Sequence, residues 1–358
     1  MHLGSRLGAD GSFSLWSEAF GEGFHSAAGA LSEAQEKFVR PSQLERWRPG
    51  QGLVVVEVAV GTGTNTAALL QATAGLDLPL QWWGLEQDPQ PLALALASEC
   101  FRSQWPAPTL ARLEDLVQSD RLLWGDGRQA ITRLPAALQG GCDLVWLDAF
   151  SPRRCPQLWS LEFLAQLAAL LRPQGRLITY SSAAAVRAAL VAAGLQLASI
   201  AASDVEHDSQ NLSRNVPQNH SQAVSQPWSS GTVASPTPLV DAWPLRSLTA
   251  MEWDHLHCAA AEPYRDPTGQ ASAATLLAER RVRQSQSTAD SGSAWRRRWG
   301  VASGFCQGRG LAIGDGVIQQ RAAQAHRHGA QDDRDQKGEE QLCNQIRPPI
   351  NSEHDSEL

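Results

Sequence analysis

The chain has 358 residues, 42% of them hydrophobic, and a formal net charge of −7, enough apolar content for one large domain with appendages. No run approaches the roughly 20 apolar residues that span a bilayer, the N-terminal MHLGSRLGADGS lacks the apolar core of a signal peptide, and the expected location is the cytosol. Six scattered cysteines without a CxxC pair give neither a zinc site nor a disulfide framework, so no metal is expected.

Val54 to Leu70, VVVEVAVGTGTNTAALL, runs from an apolar strand through a glycine turn into a helix. Gly61 and Gly63 allow a tight backbone turn beside a ligand, and the first helical N–H groups after Asn65 are free donors. A dinucleotide fingerprint would put a third glycine at Thr66. With Glu57 on the strand, the turn points instead to a mononucleoside-type cation such as S-adenosylmethionine, although an ordinary strand-to-helix turn has the same pattern. LQWWGLE ends at Glu86, close to where a ribose-binding acid belongs. RLLWGD and DLVWLD end at Asp126 and Asp148. Four acids at strand exits converge on one crevice if the sheet is open and parallel, while any single one can equally be a helix cap.

Trp159–Leu171 has helical spacing, Arg176–Tyr180 reads as the next strand, and Ala183–Ala193 as a helix stopped by Gly194. Strand and helix thus alternate from about Leu53 to Ile200, the pattern of an α/β, doubly wound, Rossmann-like sheet. From Ala202 to Pro227 the sequence is polar and aperiodic, as is the tail after about Gly300; both read as disordered. The expected organisation is an N-terminal segment (1–50), a catalytic domain (51–240, with the polar insertion at about 202–228), a C-terminal helical appendage (241–300) and a tail (301–358). Residues 331–358 hold eight acids against three bases, so the rest of the chain is near neutral. Within that rest, Arg280, Arg281, Arg283, Arg296, Arg297 and Arg298, with Trp295 and Trp299 interleaved, compose either a phosphate-gripping patch or a solvated helix face.

Three blocks carry a family resemblance: Asp10–Val39 with its Gly-Glu, His-Ser and Gly-Ala-x-x-Glu elements, EVAVGTGTN (Glu57–Asn65), and WLDAFSPRRCPQLW (Trp146–Trp159). Over roughly residues 10–200 the chain resembles the MnmC-like methyltransferases, in the stand-alone form of the methyltransferase domain of that bifunctional tRNA-modifying enzyme. The resemblance implies a class I fold, S-adenosyl-L-methionine as cofactor, and methylation of the exocyclic amine of 5-aminomethyluridine, often 2-thiolated, at the tRNA wobble position. Bifunctional members add a flavin-dependent oxidoreductase half; no second glycine-rich strand-turn-helix follows residue 200, and separate enzymes would supply the preceding wobble-uridine steps. Ala59 stands where the family has the first glycine of its turn. On this reading Glu57, Gly61, Gly63, Asn65, Glu86 and Asp126 hold the cofactor, and Asp148 orients and deprotonates the amine. Glu22, His25, Ser26 and Phe150 line the substrate side, Phe150 as a stacking platform, and Arg280, Arg281, Arg296, Arg297 and Arg298 contact the anticodon-loop RNA. Two other readings compete. An aminopropyltransferase-like enzyme would want further acids after Asp148, where SPRRCP is basic; a catalytically idle RNA-binding scaffold is the other.

Overall fold

The computed structural model describes residues 2–201 and 230–301. The polar insertion and the tail expected from the sequence lie outside the described residues, apart from their bordering positions.

A sheet of eight strands organises the molecule, in the order β11-β9-β10-β8-β7-β4-β5-β6. The strands are β4 (Leu53–Val58), β5 (Leu80–Glu86), β6 (Leu122–Trp124), β7 (Cys142–Leu147), β8 (Leu171–Thr179), β9 (Gln196–Ile200), β10 (Gly231–Ser235) and β11 (Leu245–Arg246). From β8 through β7, β4 and β5 to β6 the pairing is parallel. β10 is inserted antiparallel between β8 and β9, and β11 pairs antiparallel with β9. The sheet is therefore mixed rather than parallel throughout. The order reverses between β4 and β7, which opens a crevice at their carboxyl ends.

The apolar runs that mark these strands are buried on both faces. Val56, Val58, Val145, Leu147 and Leu177 belong to one core cluster, with Trp159, Phe163 and Leu167. Their strand neighbours Val55, Leu144, Trp146 and Ile178 belong to the other, with Phe38, Leu69 and Trp82. Alternation of side chains along a strand sends consecutive residues to opposite layers, and each such fully buried side chain contributes about 1.5–3 kcal/mol.

Helices α1 (Thr64–Gly75), α2 (Gln90–Ala97), α3 (Ala107–Gln118), α4 (Leu161–Leu170) and α5 (Ala184–Ala192) connect the strands. α4 starts later than its apolar spacing predicts, because Ser160 caps it by accepting from Phe163 N while Pro156–Trp159 forms a separate 3-10 turn. Residues 2–50 have secondary structure of their own. They build a small antiparallel sheet, β1 (Leu3–Leu7), β2 (Phe13–Ser17) and β3 (Glu22–Gly23), followed by a helical stretch from Ala30 to Ser42. Beyond the sheet lie α6 (Ala250–His255), α7 (Ala273–Gln286) and α8 (Gly292–Trp299). No helix among the described residues is long and apolar enough to cross a membrane.

Candidate active site

The crevice predicted by the strand order is a cleft lined by the turn after β4 and the residues at or just past the ends of β5, β6 and β7. Its first wall is the turn Ala59–Thr62. Ala59 and Gly61 have φ of 63° and 59°, so Ala59 occupies a left-handed conformation that costs a non-glycine residue about 1–2 kcal/mol. Gly61 N donates to Glu86 Oε2 at 2.8 Å, while Gln87 N and Asp88 N donate to Glu86 Oε1 at 2.6 and 3.0 Å. Burial outweighs these three donors and raises the Glu86 carboxyl above its usual range.

The opposite wall is the loop after β7, fixed at four successive residues. Asp148 N donates to Val58 O, Ala149 O accepts from Tyr180 Oη, Phe150 O accepts from Trp159 Nε1, and Ser151 N donates to Glu22 Oε2. Asp148 is 9% exposed and faces the cleft, its Oδ2 accepting from Asn65 Nδ2 at 2.8 Å. Phe150 stacks on Phe20 with ring centroids 4.3 Å apart, and Phe24 meets it edge-on at 5.0 Å. His25 also lines the cleft, its Nδ1 2.9 Å from Ser14 Oγ.

Asp126 forms the third wall as the N-cap of a short helix, accepting from Arg128 N. Burial alone would raise its carboxyl, but the Arg128 bonds hold it below the usual range. Arg128 also pairs with the buried Asp266 at 2.6 Å, which ties the segment after Tyr264 to the cleft.

Of the residues expected around the cofactor, Gly61, Asn65, Glu86 and Asp126 meet at this cleft, while Glu57 and Gly63 do not line it. Glu57 sits one position before the end of β4 and points beneath the turn, where its Oε2 accepts from Thr66 Oγ1 and Trp82 Nε1 at 2.7 and 2.9 Å. Gly63 has φ 79° and caps α1; a Cβ there would lie 2.7 Å from Leu92 Cδ1. On the substrate side, His25 and Phe150 line the cleft and Asp148 faces them; Glu22 and Ser26 do not line it. Glu22 steadies the loop through Ser151, and Ser26 N donates to Glu33 Oε2. Phe20 and Phe24, which the sequence reading passed over, bracket Gly21 and the short strand β3; two aromatics around Gly-Glu-Gly are the available signal.

The arginines expected to form one patch have separate environments. Arg280 lies over the Tyr264 ring and donates to the Glu262 and Ala260 carbonyls, and burial lowers its affinity for its proton. Arg283 pairs with Glu262, and Arg298 with Asp254 and Asp290. Arg296 bonds Ser293, while Arg281 and Arg297 are exposed. Trp295 is fully buried, stacked on His255, and cannot meet a base; Trp299 is 39% exposed. Arg153 and Arg154, on the loop that carries Phe150, are exposed.

Among the described residues the cleft is lined by four carboxylates, Glu86, Asp88, Asp126 and Asp148, and by no lysine or arginine. That charge balance, with a turn whose backbone N–H is aimed at Glu86, fits a cationic sulfonium nucleoside.

Residues 97–202 match a family described as S-adenosyl-L-methionine-dependent methyltransferase. The chain is 33% identical over 205 residues to the tRNA 5-methylaminomethyl-2-thiouridine biosynthesis bifunctional protein MnmC of Burkholderia thailandensis, which covers 50% of this chain and 30% of that protein. With the MnmC of Aeromonas salmonicida it shares 30% over 213 residues, 51% of this chain and 32% of the relative. The chain therefore spans about a third of the length of these curated relatives. The crystal structure of MNMC2 from Aquifex aeolicus superposes with a TM-score of 0.61 at 25% identity, covering 80% of this chain and 86% of that one. The cleft and these likenesses agree: the chain is an S-adenosyl-L-methionine-dependent methyltransferase related to the methyltransferase half of MnmC.

Proposed function

We propose that this enzyme methylates the amine of 5-aminomethyl- or 5-aminomethyl-2-thiouridine at the wobble position of tRNA. The observation that carries the reading is Asp148, a carboxylate held rigidly on the cleft wall opposite Glu86 and beside Phe150 and Phe20. Bound at the Ala59–Thr62 turn and Glu86, the cofactor supplies an electrophilic methyl group on a positively charged sulfur. An alkyl ammonium has no lone pair to attack it. Asp148 accepts a hydrogen bond from the ammonium, takes the proton that must leave before the nitrogen has a lone pair, and aims that lone pair at the methyl carbon, whose bond to sulfur breaks as the N–C bond forms and leaves a neutral thioether. Phe150 and Phe20 offer apolar faces for an unstacked base, which an anticodon loop can present at modest cost. The exposed Arg153 and Arg154, on the loop that carries Phe150, would meet the flanking phosphates, with the exposed Arg281 and Arg297 as second contacts.

The test is methyl transfer to tRNA bearing 5-aminomethyluridine, read by mass spectrometry of the released nucleosides. The wild type should add one methyl to the amine. Asp148→Asn should lower transfer by about 10²-fold or more while calorimetric affinity for the cofactor stays nearly unchanged. Near-normal turnover in this variant would remove Asp148 from the reaction, and an unmodified wobble nucleoside with wild-type enzyme would exclude this substrate.

A further inference from the structure

Asn65 is a buried carboxamide, 4% exposed, on the first turn of α1. Its Nδ2 donates to Asp148 Oδ2 at 2.8 Å, 83 positions away in sequence. A carboxylate can only accept, so this bond fixes which end of the amide faces Asp148 and turns Oδ1 the other way. There Oδ1 is buried with no partner among the described residues. An orphaned buried acceptor is destabilising, a cost that a position serving only to fill space would avoid with leucine. The amide is kept despite that cost, and the bond it makes is to the carboxylate facing the reacting amine. The Ala59–Thr62 turn just before α1 gives Gly61 N to Glu86. Five residues thus connect the carboxylate on the cofactor side with the one on the amine side.

We infer that Asn65 is a positioning residue for Asp148, holding the carboxylate in the orientation from which it receives the amine, rather than a ligand of the cofactor. This rests on the amine-methylation reading above. The Asn65 amide cannot take up the proton that Asp148 accepts, so its donation orients the carboxylate without competing for that proton.

The experiment compares wild type, Asn65→Leu and Asn65→Asp in cofactor binding by calorimetry, thermal unfolding, and kcat and KM for aminomethylated tRNA across pH. Asn65→Leu should lower kcat by about 10–10²-fold, with cofactor affinity within about 3-fold of wild type (on the order of 0.65 kcal/mol) and no loss of thermal stability, since the orphaned acceptor goes with the amide. Asn65→Asp places two carboxyl groups at hydrogen-bonding distance, so that at low pH they share a proton and the donation to Asp148 is restored. Its kcat relative to wild type should be highest at low pH and fall as that shared proton is lost, whereas the Asn65→Leu ratio should be flat. A purely structural asparagine would lower the unfolding temperature and show no such pH-dependent rescue. Undiminished kcat in Asn65→Leu overturns the inference, as does a loss of cofactor affinity of tenfold or more in both variants, which would assign the amide to the cofactor. If the wild type itself transfers no methyl to the amine, the substrate reading fails, and the inference fails with it; that result is seen in the wild-type arm alone.

Discussion

Glu57 is fully buried, and burial, only partly offset by the Thr66 and Trp82 donors, pushes its carboxyl up to about 7. A carboxyl whose folded value exceeds its unfolded one binds more protons in the native state, so its stabilising share is present below about 4.5 and is lost as pH rises through 7. Wild-type stability should therefore decline between these values by an amount on the order of 1–3 kcal/mol, and Glu57→Gln should flatten that slope. Urea unfolding at several pH values measures it; parallel slopes for the two proteins would show that Glu57 is already ionised when buried. The same residue marks the limit of reading acids from strand ends. Glu86, Asp126 and Asp148 lie at the last position of a strand or just past it, where the backbone leaves the sheet and the side chain reaches the crevice. Glu57 is still inside β4, where the alternation of faces decides its direction, and the apolar run alone does not say where the strand stops. Gly63 has the same history: its conformation serves the start of α1 and the packing of Leu92, so its glycine is required by the fold beneath the cleft.

The segment after Tyr264 joins the cleft through one arginine. Arg128 lies between Asp126 on the cleft wall and Asp266, whose side chain is 1% exposed. Arg128→Ala would leave that aspartate buried with only neutral donors, Thr268 Oγ1 and Ala271 N, a loss of about 3–5 kcal/mol for a broken buried pair. Chemical denaturation should report this as a lower midpoint, and a change under about 1 kcal/mol would mean that solvent reaches Asp266 once the guanidinium is gone. This long-range pair was invisible in the sequence, because charge pairing across 138 positions has no periodic signature. The strands from β4 to β8 were legible as apolar runs with turn residues between them. β10 was not derivable that way: GTVAS is short and follows a long polar stretch, and its antiparallel direction is a property of the whole sheet. β1 to β3 escaped because LGSRL and the two-residue β3 lack clean alternation.

At the scale of the molecule, a net charge of −7 means that RNA must be met locally. In the arginine cluster expected from composition, Arg283 and Arg298 are engaged in ion pairs, which shifts attention to the exposed Arg153 and Arg154 on the loop that carries Phe150. Changing both to Gln should weaken tRNA binding and lower the slope of log affinity against log salt by up to about 2, with cofactor affinity unmoved. Arg298→Gln, which removes a group already held by Asp254 and Asp290, should change that slope less. A filter-binding titration at several salt concentrations decides between them; an unchanged slope in the double variant would place the RNA elsewhere. The sheet's far edge has a separate property. β9 and β10 are adjacent antiparallel strands, Gly231 opposite Ile200, with Ser230 N donating to Ile200 O at 3.0 Å. Ala201 and Ser230, which flank 202–229, are thus neighbours across the β9–β10 pair, and closing a connection between them costs little more for a long stretch than for a short one. Exchanging 202–229 for a short Asn-Gly turn should leave the unfolding temperature and methyl transfer intact, and loss of either would show that the stretch contributes to the fold. If both survive, the junction is a permissive splice point, where lineage after lineage could lengthen, shorten or replace the insert, or an engineer could seat a reporter domain, without retuning the chemistry on the opposite side of the strand order.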